Sequence, residues 1–353
     1  MKHSALITGV TGQDGSYLAE LLLQKGYRVY GVARRTSTPN TQRIEHLLDN
    51  KHFWLLAGDV TDAIRINELL QTYEPNEIYH LAAQSHVGTS YLNPTATINS
   101  IVDGTANVLE SVKQFSGRYR AGVKVYVASS SEMFGNAGAG QVINLQTPMR
   151  PISPYSCGKL MGHHLARVYR EAYVLPIYCG VLFNHESERR GHEFVSRKIT
   201  RAVARIKHGS NERLRLGNMQ SRRDWGYAAD YVEAMWRLLQ QDRYHEVIVA
   251  TGQQHSVEDF CREAFAQVDL DYNDWVDGDT AEFRPLDVVD LLGDSQDARE
   301  KLGWQPTVDF KQLVKRMVLH DMREVEKQLA AERCVGSVDL RQQHAGQCVE
   351  TDA

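Results

Sequence analysis

The chain reads as α/β: a Rossmann-type doubly wound parallel sheet with a smaller α/β substrate-binding domain. Short β-branched or aliphatic runs alternate with helical patterns from residue 4 to about residue 184. Strict alternation of that kind argues for a parallel sheet covered on both faces. Glycines 9, 12 and 15 stand between the first run and the first helical pattern, where such sheets turn around phosphate groups. With 353 residues, the chain can hold one large domain and a smaller appended one.

The strand candidates, in order, are "ALIT", "YRVYGVA", "FWLLAG", "EIYHLAA", "VKVYVAS" and "IYCGVLF". Between them lie apolar residues at helical spacing, such as Leu18, Leu21 and Leu22, then Ile64, Leu69 and Leu70. After residue 184 a charged loop leads to a helix ("EFVSRKITRAVARIKHG"), a short strand ("RLRLG"), a further helix and strand, and "HSVEDFCREAFAQV". The expected division is a cofactor domain of residues 1–184, 225–251 and 288–305. A substrate domain of 185–224, 252–287 and 306–330 interleaves with it. Residues 331–353 have little apolar periodicity and are expected to form a loose tail.

A net charge of −4 and a pI near 6.4 offer no basic excess for nucleic acid or an anionic membrane. The first residues are too short an apolar run for a signal peptide, and no window approaches a membrane span. A cytoplasmic location is therefore expected. The 5 cysteines are scattered without C-x-x-C, and the 14 histidines form no H-E-x-x-H, "HES" at 185–187 being the nearest imitation. Neither a disulfide framework nor a metal site is expected.

The turn Thr8-Gly9-Val10-Thr11-Gly12-Gln13-Asp14-Gly15 has the spaced form G-x-x-G-x-x-G. Its glycines permit a tight turn, close approach to a diphosphate at a helix N-terminus, and close helix packing. Past the second strand stand Arg34 and Arg35, where an NAD site would carry an acid for the ribose hydroxyls. Two guanidinium groups suit a ribose phosphate, so the expected cofactor is NADP. Asp59 and Val60 follow the third strand, placed to meet the adenine. Leu81, Ala82, Ala83 and Ser85 line the end of the fourth.

The fifth strand ends in Ser129-Ser130-Ser131-Glu132, and "SPYSCGK" places Tyr155 and Lys159 one turn apart on a helix. An ammonium beside a phenol favours phenolate, so the tyrosine is expected to be lowered from its ordinary value toward a useful base. The carboxylate of Glu132 offers a second acid or base, beyond what a simple dehydrogenase needs.

These motifs, with "LAAQSHV", "SSSEMFG", "GVLFNHES", "RRG", "FVSRKIT", "LGN", "RRDWGYAADYVEAMW" and "LGDSQDAREKLGW", resemble the GDP-mannose 4,6-dehydratases of the extended short-chain dehydrogenase/reductase family. The similarity runs to about residue 325. It implies that Tyr155, kept ionisable by Lys159, takes the proton from the hydroxyl on sugar carbon 4 while the hydride goes to NADP. Glu132 would then remove the carbon 5 proton and, with Ser130, assist loss of the carbon 6 hydroxyl as water, before the hydride returns to carbon 6. The resemblance places cofactor contacts on Gly9, Thr11, Gly12, Gln13, Asp14, Gly15, Tyr155 and Lys159. It places contacts to the nucleotide sugar on Ser85, Asn184, Glu186, Arg190, Lys198, Leu214, Gly217, Arg223, Arg284 and Asp287. A homodimer or homotetramer is likewise implied.

Three departures stand out. Ser130 replaces the family's usual threonine and keeps the hydroxyl. Glu188 stands where proline is usual, which predicts a looser loop before Arg190. Asp287 and Val289 stand where the family has glutamate and aspartate, which bears on the identity of sugar and base. A dehydratase of another nucleotide sugar such as GDP-heptose, a 4-epimerase, and a non-catalytic NADP sensor remain as alternatives.

Overall fold

A computed structural model describes residues 3–119, 122–138, 140–243, 246–279 and 285–347. Seven strands form one parallel sheet: β1 (Ser4–Thr8), β2 (Arg28–Ala33), β3 (Phe53–Ala57), β4 (Glu77–His80), β5 (Lys124–Ser130), β6 (Ile177–Leu182) and β7 (Glu246–Val249). Their order is β7-β6-β5-β4-β1-β2-β3. All six strand candidates are present. The seventh, "EVIV", pairs outside β6, with Val247 opposite Gly180.

The period of two within each strand assigns its side chains to the two faces. Ala5, Ile7, Tyr79, Tyr126 and Tyr178 enter one core with α1 (Gln13–Gln24) and, later in the chain, α6 (Ala228–Leu239). Leu6, Ile78, Val125, Val127 and Ile177 enter the other. That second face is covered by α2 (Ala63–Tyr73), α3 (Gly104–Tyr119) and α4 (Pro154–Tyr173). Runs apolar on both faces are what a sheet buried on both sides requires.

A separate apolar cluster joins α5 (Val195–Lys207) and α7 (Val257–Ala266) to the first turns of a long helix. Ile199, Val203, Phe260, Phe265, Leu313 and Met317 are all fully buried in it. Helix α7 starts where its sequence says it should: Ser256 and Asp259 form a reciprocal capping box. After α8 (Gln296–Leu302), the long helix α9 spans Phe310–Gln347.

Helix α9 therefore continues into the segment whose weak periodicity predicts a loose tail. Adding turns to a helix already anchored by packing avoids the cost of nucleation, so an apolar stripe is not needed for propagation. No helix among the described residues is long and apolar enough to cross a membrane.

Phe260 is fully buried, at 0% exposure, and packs edge-on against Trp225 and Phe310. Phe260→Ala is expected to cost about 3–5 kcal/mol, measured as a lower midpoint in urea unfolding.

Candidate active site

The chain reverses direction across the sheet between β1 and β4, and the glycine turn stands at that switch point. Gly9 has φ +75°, and a Cβ on it would lie 2.9 Å from the backbone of Ala82. A Cβ on Gly15 would lie 2.3 Å from the Gly9 carbonyl oxygen. The turn is thus packed against β4 and its own helix as closely as backbone allows. Gly12 is the N-cap of α1 and supplies no side-chain acceptor, so the first amides of the helix stay open to an anion. A diphosphate fits this cradle. Leu81 and Ala82 donate their backbone N–H groups toward Thr8 Oγ1, holding the β4 end beside the turn. Ala83 is half-buried and Ser85 is exposed.

Arg34 and Arg35 follow β2 and are both exposed. Asp59 uses Oδ1 to accept from Thr61 N and Oγ1, and Asn107 donates to the Val60 carbonyl. One further cation was not legible in the sequence. Arg43 donates to the carbonyls of Arg189 (2.7 Å) and Thr11 (3.4 Å). Burial holds its guanidinium below the ordinary value, and the nearby Arg197, Arg189 and Arg190 push it the same way, Glu193 opposing.

The catalytic candidates converge. Ser153 caps α4 in a box with Ser156, and Pro154 occupies the first turn, which fixes where the helix begins. Tyr155 and Lys159 then lie one turn apart on its buried side, the Lys159 Nζ 5.9 Å from the Tyr155 ring centroid. Ser130 ends β5 and caps the short turn Ser131–Phe134 by accepting from Glu132 N. Its side chain also bonds to the Tyr155 phenol. Glu132 is buried, 7% exposed.

The electrostatics correct one expectation. Burial raises the Tyr155 phenol to about 12, the bond to Ser130 lowers it, and the charge of Glu132 raises it further. Burial also pushes Lys159 down to about 8. Its ammonium donates to the Ala128 carbonyl at 2.8 Å. Among the protein's own groups, loss of hydration outweighs the lowering by Ser130 and Arg190, so proximity to a lysine on one helix face does not by itself make the phenol acidic.

The loop after β6 is brought to the same wall. Asn184–Glu186 forms a short strand beside Trp225–Tyr227, and Asn184 Oδ1 is buried with no hydrogen-bond partner among the described residues. Glu186 accepts from Ser196 Oγ at 2.6 Å and lies 3.1 Å from Arg190 Nε. Arg190 also covers the Phe194 ring. Gln13 reaches across to this loop, donating to the His185 carbonyl and accepting from Ser187 Oγ. Asp14 pairs with His185 Nε2 at 2.8 Å. His185 is not among the candidate site residues of the sequence, although it stands in the motif "GVLFNHES". Among the described residues no group of His, Cys, Asp or Glu could hold a metal ion.

Glu188 does not leave its loop untethered. Its carboxylate accepts from Tyr17 at 2.8 Å, and its carbonyl accepts from Arg197. A side-chain bond to α1 stands in for the rigidity of the expected proline.

Lys198 and Leu214 line one groove, together with His192, Arg201 and Arg205. Gly217 follows the strand Leu214–Leu216. Arg223 is buried and pairs with Asp287 at 3.5 Å, while Ser221 Oγ donates to Asp287 Oδ2 at 3.0 Å. Asn136 donates to the Asp287 carbonyl and accepts from Val289 N, which ties this segment to the turn carrying Glu132. Val289 itself is exposed. Arg284 lies outside the described residues.

The family model described as GDP-mannose 4,6 dehydratase matches residues 6–317. GDP-mannose 4,6 dehydratase 1 of Arabidopsis thaliana is 46% identical over 345 residues, which cover 96% of this chain and 95% of that protein. Among solved structures, dTDP-glucose 4,6-dehydratase from Bacillus anthracis in complex with NAD superposes with a TM-score of 0.80 at 19% identity, covering 92% of this chain and 98% of that one. The RMD protein of Pseudomonas aeruginosa complexed with NADPH gives 0.75 at 20%, covering 92% and 100%. At those identities the two structures report a shared fold. The length and closeness of the sequence matches go further: the chain belongs to the GDP-mannose 4,6-dehydratase family.

Proposed function

We propose that the protein converts GDP-mannose to GDP-4-dehydro-6-deoxymannose and water, using NADP that is regenerated within each turnover. The observation that carries the reading is the meeting of Tyr155, Ser130 and the buried Glu132 at one strand end. A 4-epimerase needs an acid–base group at carbon 4 only; a carboxylate at the same place provides for removal of the proton on carbon 5.

The glycine cradle and the open amides of α1 would hold the cofactor's diphosphate, and Lys159 the ribose next to the nicotinamide. When bound, the oxidised nicotinamide supplies a positive charge, accepts a hydride from carbon 4 and returns it to carbon 6. Tyr155 takes the carbon 4 hydroxyl proton, with Ser130 orienting the phenol. The resulting ketone acidifies carbon 5, where Glu132 removes the proton and passes it to the departing carbon 6 oxygen. Tyr155 then returns its proton to carbon 5, so atoms and charge balance. Loss of water from its own substrate thus requires no proton from solvent.

NADP is favoured over NAD by the two exposed guanidinium groups of Arg34 and Arg35 after β2, since no carboxylate there would oppose a ribose phosphate. For the sugar nucleotide, Arg223 and Asp287 support a charged and polar grip, with Ser221 fixing the shorter carboxylate. We assign the second apolar cluster and its loops to substrate binding, and the sheet to the cofactor. Assembly as a homodimer or homotetramer in the cytoplasm completes the proposal.

Incubating the protein with NADP and GDP-mannose should give a product lighter by one water, with no net accumulation of NADPH; turnover of a GDP-heptose instead would reassign the sugar. Tyr155→Phe should abolish turnover, and Glu132→Gln should lower kcat by about 10²-fold or more. In Glu132→Gln the oxidation at carbon 4 survives, so reduced cofactor should build up transiently in stopped-flow absorbance. Replacing Arg34 and Arg35 together by alanine should weaken NADP by about tenfold or more while leaving NAD nearly unchanged, read by calorimetric titration.

A further inference from the structure

We infer that His185 is the counter-charge that allows a dinucleotide diphosphate to share the N-terminus of α1 with the carboxylate of Asp14. The inference rests on the nicotinamide-cofactor reading above. It starts from a conflict at that helix end. Asp14 lies in the first turn of α1, beside the uncapped amides where the diphosphate belongs. A carboxylate there would by itself repel an anionic ligand.

The geometry around His185 resolves the conflict. Its Nδ1 is 2.7 Å from the Phe183 carbonyl oxygen, and its Nε2 is 2.8 Å from Asp14 Oδ2. A carbonyl and a carboxylate both accept, so both ring nitrogens must carry hydrogen, and the ring is the cation. The Tyr231 ring stacks on it at 4.6 Å, fixing its plane. Side-chain exposures of 11% for His185 and 22% for Asp14 place the pair where screening by water is partial. Gln13 donates to the other Asp14 oxygen at 3.0 Å, so the carboxylate is turned toward His185 from both sides.

The two members of the pair each favour the charged form of the other. Burial disfavours the imidazolium and Asp14 more than offsets it, so the ring is held above its ordinary value; Arg190 opposes. For Asp14, burial raises the carboxyl, but His185, Gln13 and Arg190 together bring it below the usual range. Glu186 stands on the same loop, Asp224 and Asp230 lie behind Tyr231, and Lys159, Tyr155 and Tyr126 feel the Asp14 charge; Lys159, held at about 8, titrates in the same pH window as the pair. The pair is therefore intact between the Asp14 and His185 values. Above the raised imidazole value the ring loses its proton, Asp14 is uncovered, and dinucleotide affinity falls.

The test is calorimetric titration of the full chain with NADP and, separately, NAD, at about pH 6 and about pH 9. In the wild type both should bind more weakly at the higher pH. His185→Gln keeps a polar group but no charge; at the lower pH it should bind both about tenfold more weakly, with the pH dependence flattened to the part that loss of the Lys159 proton contributes. Adding Asp14→Asn to His185→Gln should recover most of that loss, which a merely structural role of the histidine would not produce. Asp14→Asn alone should likewise flatten the dependence.

A double variant no better than His185→Gln, or an effect confined to NADP and therefore to its 2′-phosphate, would overturn the inference. Should His185→Gln not fold, an unaltered pH dependence in Asp14→Asn would overturn it equally. Binding of neither dinucleotide by the wild type at any pH would instead sink the cofactor reading itself.

Discussion

Contact of backbone with backbone at the end of β1 is the constraint on which the rest of this structure depends. Gly9 lies so close to Ala82 that a single methyl group would collide, and Gly15 lies as close to Gly9. Because the turn is this compact, the N-terminus of α1 reaches the switch point of the sheet rather than standing off from it. The order β5-β4-β1-β2 then puts the carboxyl end of β5, with Ser130 and Glu132, on the same edge as the open amides. The chemistry is confined to that edge because the parallel sheet delivers every strand end there.

Burial, more than pairing, sets the charge states at this edge. The Tyr155 phenol is driven up and the Lys159 ammonium down by the same loss of hydration. A phenol so placed is neutral and a lysine so placed is close to losing its proton. Both can be shifted by one added charge, which suits a site that must take and return a proton in each cycle. The protein as a whole is acidic, with a net charge of −4. Its positive charge is gathered locally: Arg189, Arg190 and Arg197 stand close enough to Arg43 to help burial hold that guanidinium below its ordinary value. Net charge argues against a nucleic-acid partner without arguing against a phosphate-bearing ligand.

The loop after β6 belongs to the cofactor wall as much as to the substrate side. Five side chains stitch it to α1 or to the turn before it. Gln13 meets Ser187, Asp14 meets His185, Tyr17 meets Glu188, Arg189 reaches Ser16 and Glu20, and Arg43 bridges Thr11 and Arg189. The loop that carries Asn184 and Arg190 is thereby held against the glycine turn. Arg197 on α5 donates to the carbonyls of Glu188 and Arg190 and pairs with Asp321 on α9 at 2.6 Å, so buried charge joins this loop to the cluster of α5, α7 and α9.

Local sequence determined a good deal. Short β-branched and aliphatic runs named six strands and, through their strict alternation with helical patterns, a sheet covered on both faces. Ser153 and Pro154 fixed the start of α4 and so put Tyr155 and Lys159 on one face, and three glycines named the turn. These features involve residues within one element, where spacing alone dictates geometry. Tertiary structure decided what depends on elements far apart in the chain. His185 reaches Asp14 across 171 positions, and Arg43 reaches Arg189 across 146; no local pattern encodes either meeting. It also decided the Tyr155 protonation balance, because desolvation is a property of everything packed around a group and helix spacing carries no information about it. Sequence named the candidate reacting groups; the packed interior sets their charge.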